Sequence, residues 1–424
     1  MSEYFTKDTH LFIYNALAYI FTLIYFYKRN KRSVGTFIWL IYTISAFFAI
    51  FYYGIYSMLD ADAKDLSIWG FVYLYICLMI GLLPLVKMKE VKEVSIGNME
   101  YSLFIVICYV VILLSLEPLF ENILLTFKPH DAQELHDDAA AGDLKIYSAL
   151  GERLNQYCTL FRSFVPFATI LAFKIKRMPV LIKYGLLCPS INFILTGYNY
   201  GMRGTIVCYF MMVICVFIFL FPLFTKLQRR YVKRITIFVG GLLLFLFMAI
   251  SVSRMEGNSS SDTTLGVWIM RYTAEGPVLF NSEIWEKTPK TNGDVNFNFY
   301  KKQLGLKTFI TYKDREEHYL AKNGMRIEVF RTYVGDFLTD MGYWGTFLFC
   351  CMITFFVVRF YHKGKMTIAS MLLYSNVFQL YGIGFASNLY RDYSMAKSFF
   401  VMMMLMCIFG IIRQSSREYI LVRR

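Results

Sequence analysis

The chain alternates long apolar stretches with short polar gaps over most of its length. About eleven stretches are roughly 17–25 residues long, the length that an α-helix needs to cross a ~30 Å hydrocarbon core. The pattern predicts an all-α polytopic membrane protein in which residues 1–424 form a single integral membrane domain. The predicted spans are 11–27, 36–58, 68–86, 101–124, 157–173, 179–196, 204–225, 235–253, 336–358, 367–386 and 395–412.

Lysine and arginine cluster in alternate gaps between these stretches. The basic gaps are 28–32, 87–92, 174–177, 226–234, 359–365 and the tail 413–424. The positive-inside rule places such clusters in the cytoplasm, so an odd number of spans puts the N-terminus outside and the C-terminus inside. The first segment begins with Glu3, Lys7 and Asp8 and not with a basic run, which favours a retained helix over a signal peptide.

Composition and motifs exclude several function classes. The chain is 57% hydrophobic and carries a net charge of +14. The positive residues lie mainly at the predicted inner helix ends, where anionic lipids attract them, so the charge does not indicate nucleic acid. No nucleotide-binding or metal-binding motif is present, and we expect neither a metal nor another cofactor. All nine cysteines fall within apolar spans, so no disulfide framework is implied.

Two long loops lie on the predicted outer face. The first, 126–156, is acidic and contains a short amphipathic helix over 144–154 that we expect at the membrane interface. The second, 254–331, contains a half-apolar segment, 265–285, in which Gly276 and Pro277 are expected to break a helix. We interpret this segment as re-entrant or interfacial, because irregular backbone at membrane depth must line a cavity within the protein. A turn-rich patch over 292–298 and a charged, solvated segment over 307–326 follow.

Arginine at the outer face is the main candidate for chemistry. An arginine close to hydrocarbon is costly unless it is paired or faces a cavity, and its planar fork of donors fits phosphate bidentately. An outward-facing cavity lined by arginines would suit a lipid-linked diphosphate, whereas the alternative is that each arginine snorkels to the interface. The candidates are Arg203, Arg254, Arg271, Arg331 and Arg391.

Carboxylates and aromatic residues accompany these arginines. Glu275, Asp336, Asp340 and Asp392 are candidates for a base or for a structural partner, and for Asp336 the alternative is a plain ion pair with Arg331. Aromatic residues of the same region either stack on sugar faces or form an interfacial belt. Tyr200 and Tyr272 are the members of this set that we place among the candidate substrate-binding residues.

With these residues the chain resembles the Wzy-type oligosaccharide repeat-unit polymerases, which build O-antigen and capsular polysaccharide in bacteria. The resemblance covers most of the chain as an architecture of many spans and one large late outer loop. In detail it depends on three stretches: 200–204 (YGMRG), 272–277 (YTAEGP) and 333–345 (YVGDFLTDMGYWG). Arg331 and Gly342 also have the Arg-x10-Gly spacing associated with that family, as do two pairs that begin at Arg229 and Arg230.

The resemblance implies a GT-C-like membrane architecture and a glycosyl transfer at the outer face of the bacterial cytoplasmic membrane. Both substrates would be oligosaccharides on undecaprenyl diphosphate, with a flippase and a chain-length regulator as partner proteins. It implies catalytic roles for Arg203, Arg331, Asp336 and Glu275. It implies substrate contacts for Arg254, Arg271, Arg391, Tyr200, Tyr272 and His318.

Two other functions stay open from the sequence. An O-antigen ligase or another lipid-linked glycosyltransferase would use the same donor, and ligases of similar architecture tend to rely on a loop histidine, for which His318 is the candidate. A flippase or other transporter would line its pathway with arginines. Transporters commonly show inverted repeats with paired broken helices, and we find one break, near Gly197, without a counterpart in the second half.

Overall fold

The structure, a computed structural model, is almost entirely α-helical. It describes residues 8–59, 66–88, 90–126, 147–200, 202–230, 265–285, 290–309, 312–324, 330–360, 364–415 and 419–423, with the single positions 234, 241 and 287. In chain order the elements are α1 (Thr9–Asn30), α2 (Val34–Leu59), α3 (Ile68–Lys87), β1 (Glu93–Gly97), α4 (Asn98–Thr126), α5 (Ala149–Thr159), α6 (Val165–Lys174), α7 (Val180–Gly185), α8 (Leu187–Asn199), α9 (Arg203–Leu220), α10 (Leu265–Leu279), α11 (Asn298–Gln303), α12 (Tyr312–Asn323), α13 (Thr332–Arg359), β2 (Lys365–Met366), α14 (Ile368–Ile383), α15 (Tyr393–Gln414) and β3 (Tyr419–Arg423). Short 3₁₀ turns at Phe221–Leu223 and Leu389–Arg391 and a π-helical turn at Phe280–Trp285 complete the set.

Within these ranges, eight helical segments are long and apolar enough to cross a membrane, which confirms an all-α polytopic membrane protein. They are Thr9–Asn30, Val34–Gly54, Ile68–Lys87, Asn98–Thr126, Val180–Asn199, Gly204–Leu223, Thr332–Arg359 and Tyr393–Gln414. Each coincides with a predicted span. Of the three other predicted spans, 367–386 contains the shorter helix α14 and 235–253 lies almost wholly outside the described residues. The third, 157–173, is divided.

The chain forms two compact units, each assembled from three separate segments. The first comprises Met1–Met88, Gly266–Phe360 and Leu380–Ala396, and the second comprises Lys89–Leu265, Tyr361–Gln379 and Lys397–Arg424. The first unit contains α1–α3 and α10–α13. Helices α10–α12 belong to the predicted outer loop 254–331, and α13 follows it. Segments far apart in sequence therefore pack into one unit, and this brings the candidate residues around Arg331 and Arg391 together.

Aromatic packing and close backbone approach hold the first three helices together. Trp39 of α2 is fully buried, stacks on Tyr19 of α1 with 5.0 Å between ring centroids, and donates its indole N–H to the Tyr19 carbonyl at 3.0 Å. A buried tryptophan needs such an acceptor, since its N–H would otherwise lose its hydrogen bond to water. At the start of α2, a Cβ on Gly35 would lie 2.5 Å from the Val86 amide nitrogen, so only glycine allows this approach to α3.

A small sheet joins three segments of the second unit. β1 pairs in parallel with β2 and antiparallel with β3, in the order β2-β1-β3. Next to the sheet, the buried Glu100 carboxylate at the start of α4 accepts from Gly97 N at 2.6 Å and from Arg413 Nη1 of α15 at 3.1 Å. Three of the predicted basic gaps (87–92, 359–365 and 413–424) supply or adjoin these strands. The chain segments that the charge pattern assigned to one face are thus joined by the sheet.

Two sequence predictions about helix continuity were wrong. The span over 157–173 is two helices, α5 and α6, separated by a turn in which the Arg162 guanidinium donates to the Thr205 carbonyl at 2.5 Å. Conversely, α10 runs through Gly276 and Pro277, where a break was expected. Proline lacks the N–H that would bond the carbonyl four residues earlier, that of Thr273. The Ser45 hydroxyl of α2 donates to this carbonyl at 2.5 Å, so the freed acceptor is satisfied.

The boundaries of two further predicted segments also differ. The amphipathic helix expected over 144–154 begins at Ala149, where the Ser148 hydroxyl caps it, while 127–146 lie outside the described residues. The span expected over 336–358 begins earlier, at Thr332, and is interrupted at Gly342, which has φ +67° and ψ −175°. Apolar content located this span correctly, but it did not reveal that residues 332–335 are already helical.

The sheet predicts the side of the membrane on which three segments are accessible. Single cysteines at Lys92→Cys, Lys365→Cys and Tyr419→Cys in a cysteine-free background should react with a membrane-impermeant maleimide from the same side. The control is Leu150→Cys on exposed α5, which should react from the opposite side. The opposite side is expected because Ser148, directly before α5, donates its backbone N–H to the Glu121 carboxylate. Glu121 lies about 35 Å along α4 from Asn98, the end of the helix that adjoins the sheet. Labelling of the three strand positions from different sides would contradict the sheet.

Candidate arginine site

The first unit brings together Arg331, Asp336 and Arg391, three of the residues predicted from sequence. Arg331 and Asp336 are both fully buried, and Arg331 Nε donates to Asp336 Oδ1 at 2.9 Å. Arg391, whose side chain is 15% exposed, lies with Nη1 3.5 Å from the same oxygen. Two guanidinium groups from segments sixty residues apart (391 − 331) therefore share one carboxylate.

The backbone of the loop after α14 completes the contacts of Asp336. Asn388 N donates to Asp336 Oδ2 at 2.6 Å, and the Asn388 side chain caps the 3₁₀ turn that carries Arg391 by accepting from Tyr390 N at 3.1 Å. Asp336 thus accepts hydrogen bonds from Arg331 and from one main-chain amide, and it forms a second ion pair with Arg391. Both carboxylate oxygens of Asp336 are engaged by neighbouring cations or amides, and these contacts favour a structural role for this carboxylate.

The segment that leads into α13 is docked on the same loop through its backbone. Arg331 N and Thr332 N both donate to the Ala386 carbonyl at 2.9 Å, and Tyr333 N donates to the Gly384 carbonyl at 2.8 Å. Thr332 has φ +66°, a conformation that is strained for a β-branched residue. Its hydroxyl accepts from Gly335 N at 3.1 Å, as a helix cap does. Strained backbone held by surrounding structure is typical of functional sites.

Helix α10 approaches the same loop so closely that it requires glycine. A Cβ on Gly276 would lie 2.1 Å from the Phe385 carbonyl oxygen and 3.4 Å from the Thr332 side chain. The neighbouring residue Glu275 is buried and pairs with Arg271 of the same helix at 3.1 Å. The segment that was predicted to be re-entrant is thus a helix, and its Gly276 lies against the loop after α14 that leads to Arg391.

The Arg271–Glu275 pair is more exposed than the arginines around Asp336. The Arg271 side chain is 47% exposed, against 5% for Glu275. Burial opposes the charged form of Arg271, but the Glu275 carboxylate outweighs it and raises the pKa of the guanidinium. Next to it, the Tyr272 ring packs against Phe330 with 5.5 Å between centroids. Arg271 therefore stays charged and within reach of a ligand.

The other predicted site residues lie elsewhere or outside the described residues. Arg254 is outside them, and Arg203 opens α9 in the second unit but its side chain is not described. Tyr200, also in the second unit, packs against Tyr147, and burial raises its pKa to about 12, so it remains a neutral phenol. His318 is exposed on α12, with its ring against Phe309 and Tyr319.

Sequence reasoning did not identify Asn388 and Asn296, which also take part in the arginine site. Asn388 donates through Nδ2 to Asn296 Oδ1 at 2.7 Å, and both residues are buried. Asparagine in a polar loop is common, and nothing in the local pattern distinguishes these two. Their role depends on the hydrogen bond between them, which joins residues 92 positions apart (388 − 296) and cannot be recognised from the sequence pattern.

The described part of the chain contains no cluster of three or more histidine, cysteine, aspartate or glutamate residues that could hold a metal ion. The chemistry available around Asp336 is that of fixed positive charge. Two planar guanidinium groups are held before any ligand arrives, next to a helix N-terminus that adds positive potential. Such an arrangement is suited to an anion with several oxygens, and a phosphate or diphosphate group fits this description.

We predict that Gly276→Ala destabilises the protein, because its Cβ would collide with the Phe385 carbonyl and force α10 away from the loop. Overpacking of this kind costs about 1–3 kcal/mol. Thermal unfolding of the purified protein in detergent measures the effect. Gly204→Ala is the control, since a Cβ there meets nothing within 4 Å. Equal melting temperatures for the two variants would contradict the close approach.

We further predict that Asp336→Asn lowers the free energy of unfolding by about 3–5 kcal/mol, because it leaves Arg331 buried without its carboxylate. Arg271→Gln leaves the buried Glu275 without this partner but should cost less, because water reaches the pair through the half-exposed Arg271 side chain. Denaturant unfolding of both variants alongside wild type checks the difference. A smaller loss for Asp336→Asn than for Arg271→Gln would refute the assignment of Asp336 as the main structural partner.

No protein-family model, curated protein or solved structure matches this chain.

Proposed function

We propose that this protein polymerises lipid-linked oligosaccharide repeat units into O-antigen or capsular polysaccharide. In this proposal it is a metal-independent glycosyltransferase of the bacterial cytoplasmic membrane, and both substrates are carried on undecaprenyl diphosphate. The observation that carries the proposal is the convergence of Arg331 and Arg391 on the buried carboxylate of Asp336. A buried, pre-formed pair of arginines in a membrane protein is suited to the diphosphate that links such glycans to their lipid.

The proposed reaction joins two lipid-linked glycans. An acceptor hydroxyl oxygen attacks the anomeric carbon of the donor, and a new C–O bond forms as the bond to the diphosphate oxygen breaks. The diphosphate leaves with the electron pair and an additional negative charge, and the hydroxyl proton passes to a base. Donors fixed in advance where this charge develops lower the barrier, and they are usually the largest single catalytic contribution. The energy of the sugar–diphosphate bond drives the transfer, so no nucleotide is required.

The described residues suggest distinct roles for the two carboxylates. Asp336 is occupied by both arginines and by Asn388 N, so we assign it to hold the cations in place. Glu275 is our candidate for the base, since it directly precedes Gly276, whose backbone lies against the loop that carries Arg391, and its ion-pair partner Arg271 is half exposed. On the same helix, the half-exposed Arg271 and its neighbour Tyr272 would contact the substrate.

The charge pattern and the sheet together support an orientation. The sheet joins segments that are, or adjoin, three of the basic gaps, and such gaps are retained on the cytoplasmic side. We therefore propose that the sheet faces the cytoplasm and that the large loop 254–331 faces outward. Reaction at the outer face would place the protein after a flippase that delivers the repeat unit, and beside a regulator of chain length.

In a deletion strain, wild type should restore a ladder of surface polysaccharide, whereas Arg331→Ala and Arg391→Ala should leave a single repeat unit on the surface glycan. Removing one preorganised hydrogen-bond donor from a developing negative charge typically lowers the rate by about 10²–10³-fold. The control is Arg29→Ala, because Arg29 is exposed on α1 and bonds only locally to Tyr25 among the described contacts; it should restore the ladder. Electrophoresis of the extracted glycan gives the result.

The glycan profile of the deletion strain itself separates the alternatives. A single capped repeat identifies a polymerase, whereas the loss of every repeat would indicate a ligase or a flippase instead. A full ladder in the deletion strain would refute a role in polysaccharide assembly. A full ladder with Arg331→Ala or Arg391→Ala would place the catalytic arginines elsewhere.

A further inference from the structure

A single carboxylate of α13, that of Asp340, binds the turn 291–296 between α10 and α11. Asp340 Oδ1 accepts from the Thr291 hydroxyl, from Gly293 N at 3.1 Å and from Val295 N at 3.3 Å. Asp340 Oδ2 accepts from Asn296 N and from Asn296 Nδ2, each at 2.7 Å. Five donors from one turn thus converge on Asp340, and they fix the turn against α13, the helix that follows Arg331.

Asn296 extends these contacts to both segments that carry the arginines. Its Nδ2 also donates to the Asp336 carbonyl at 2.6 Å, so both amide hydrogens are used within α13. Its Oδ1 accepts from Asn388 Nδ2 at 2.7 Å, and Asn388 N bonds the Asp336 carboxylate. One side chain therefore connects the helix that follows Arg331 with the loop that carries Arg391.

The helix segment that follows Arg331 needs such lateral support because it is short. Gly342, at φ +67°, interrupts α13, so the ten residues between Arg331 and Gly342 form one separate helical segment. This segment contains Asp336 and Asp340. The Arg-x10-Gly spacing thus corresponds to a half-helix of three turns, with an arginine before it and a left-handed glycine after it. Its direction is not dictated by the apolar helix beyond Gly342, so side-chain contacts have to set it.

We propose that Asn296 is a positioning residue for the arginine pair, and that the turn 291–296 sets through it the spacing of Arg331 and Arg391 for a diphosphate. This inference depends on the proposed function for the identity of the anion. A bidentate contact needs a guanidinium to be coplanar with two phosphate oxygens, so a small rotation of the half-helix against the loop weakens both arginine contacts at once. The outer loop would then control the affinity of the site without touching the substrate.

The test is Asn296→Asp, which keeps the shape of the side chain but replaces Nδ2, the donor to the Asp336 carbonyl and to Asp340 Oδ2, with an oxygen that can only accept. Asn298→Asp is the matched control, since among the described contacts its amide makes only one long bond, to the Phe309 carbonyl at 3.5 Å. The full-length proteins in detergent are titrated with inorganic pyrophosphate as the probe. We expect at least about tenfold weaker binding for Asn296→Asp, the loss of about one charge-assisted hydrogen bond, and unchanged binding for Asn298→Asp.

Melting curves recorded in the same buffer separate positioning from unfolding. If Asn296→Asp does not fold, Asn296→Ala removes the same bonds without adding charge and takes its place. Pyrophosphate affinity equal to wild type in a folded Asn296 variant would overturn the inference while leaving the proposed function intact. Absence of pyrophosphate binding by wild type would instead overturn the diphosphate site itself, and the positioning role would fall with it.

A double-mutant cycle tests the route through Asn388. Asn388→Ala removes both the partner of Asn296 Oδ1 and the cap on Tyr390 N, but it leaves the backbone N–H that bonds Asp336. If Asn296 acts through this contact, the losses of pyrophosphate affinity in Asn296→Ala and Asn388→Ala should not add in the double variant. Two general packing defects would add. Additive losses would therefore refute the coupling between the turn and the loop.

Discussion

The polar structure around α13 in the first unit depends on the ion pairs that the buried Asp336 carboxylate forms with Arg331 and Arg391. Removing a guanidinium from water costs several kcal/mol, and here two of them lie close together. Their mutual repulsion would separate the start of α13 from the loop after α14. A carboxylate that accepts from Arg331 and from Asn388 N and forms an ion pair with Arg391 offsets this cost and joins the two segments.

The same constraint accounts for the irregular backbone of this region. Non-helical peptide groups within a membrane protein must find partners in the protein itself. The amide groups of Arg331, Thr332 and Tyr333 bond carbonyls of residues 384–386, and the carbonyl freed by Pro277 accepts from Ser45. The departures from regular helix at the start of α13 and at Pro277 are thus each matched by a specific acceptor or donor. The glycine at 276 is required for the same reason, because the loop carbonyl at Phe385 occupies the space of a side chain.

Preorganisation follows from these contacts. The strained Thr332, the docked backbone and the shared carboxylate fix the arginines before a ligand binds. Fixed charge does not have to reorient when negative charge develops, which is where such a site gains over water. Two fixed guanidinium groups are suited to an anion with several oxygens, and we propose that this anion is the diphosphate of a lipid-linked glycan.

The sequence by itself determined the class of the protein and the location of most of its spans. Apolar length is a local property, and a bilayer of fixed thickness imposes it on each helix separately. The ion pair of Arg331 with Asp336 could also be predicted as an alternative, because these residues are only five positions apart. Tertiary structure decided what depends on distant contacts. Arg391 and Asn388 meet Asp336, Asn296 meets Asn388, and Ser45 allows α10 to continue through Pro277. These outcomes depend on which polar group finds a partner across the fold, and the order of residues along the chain does not specify that.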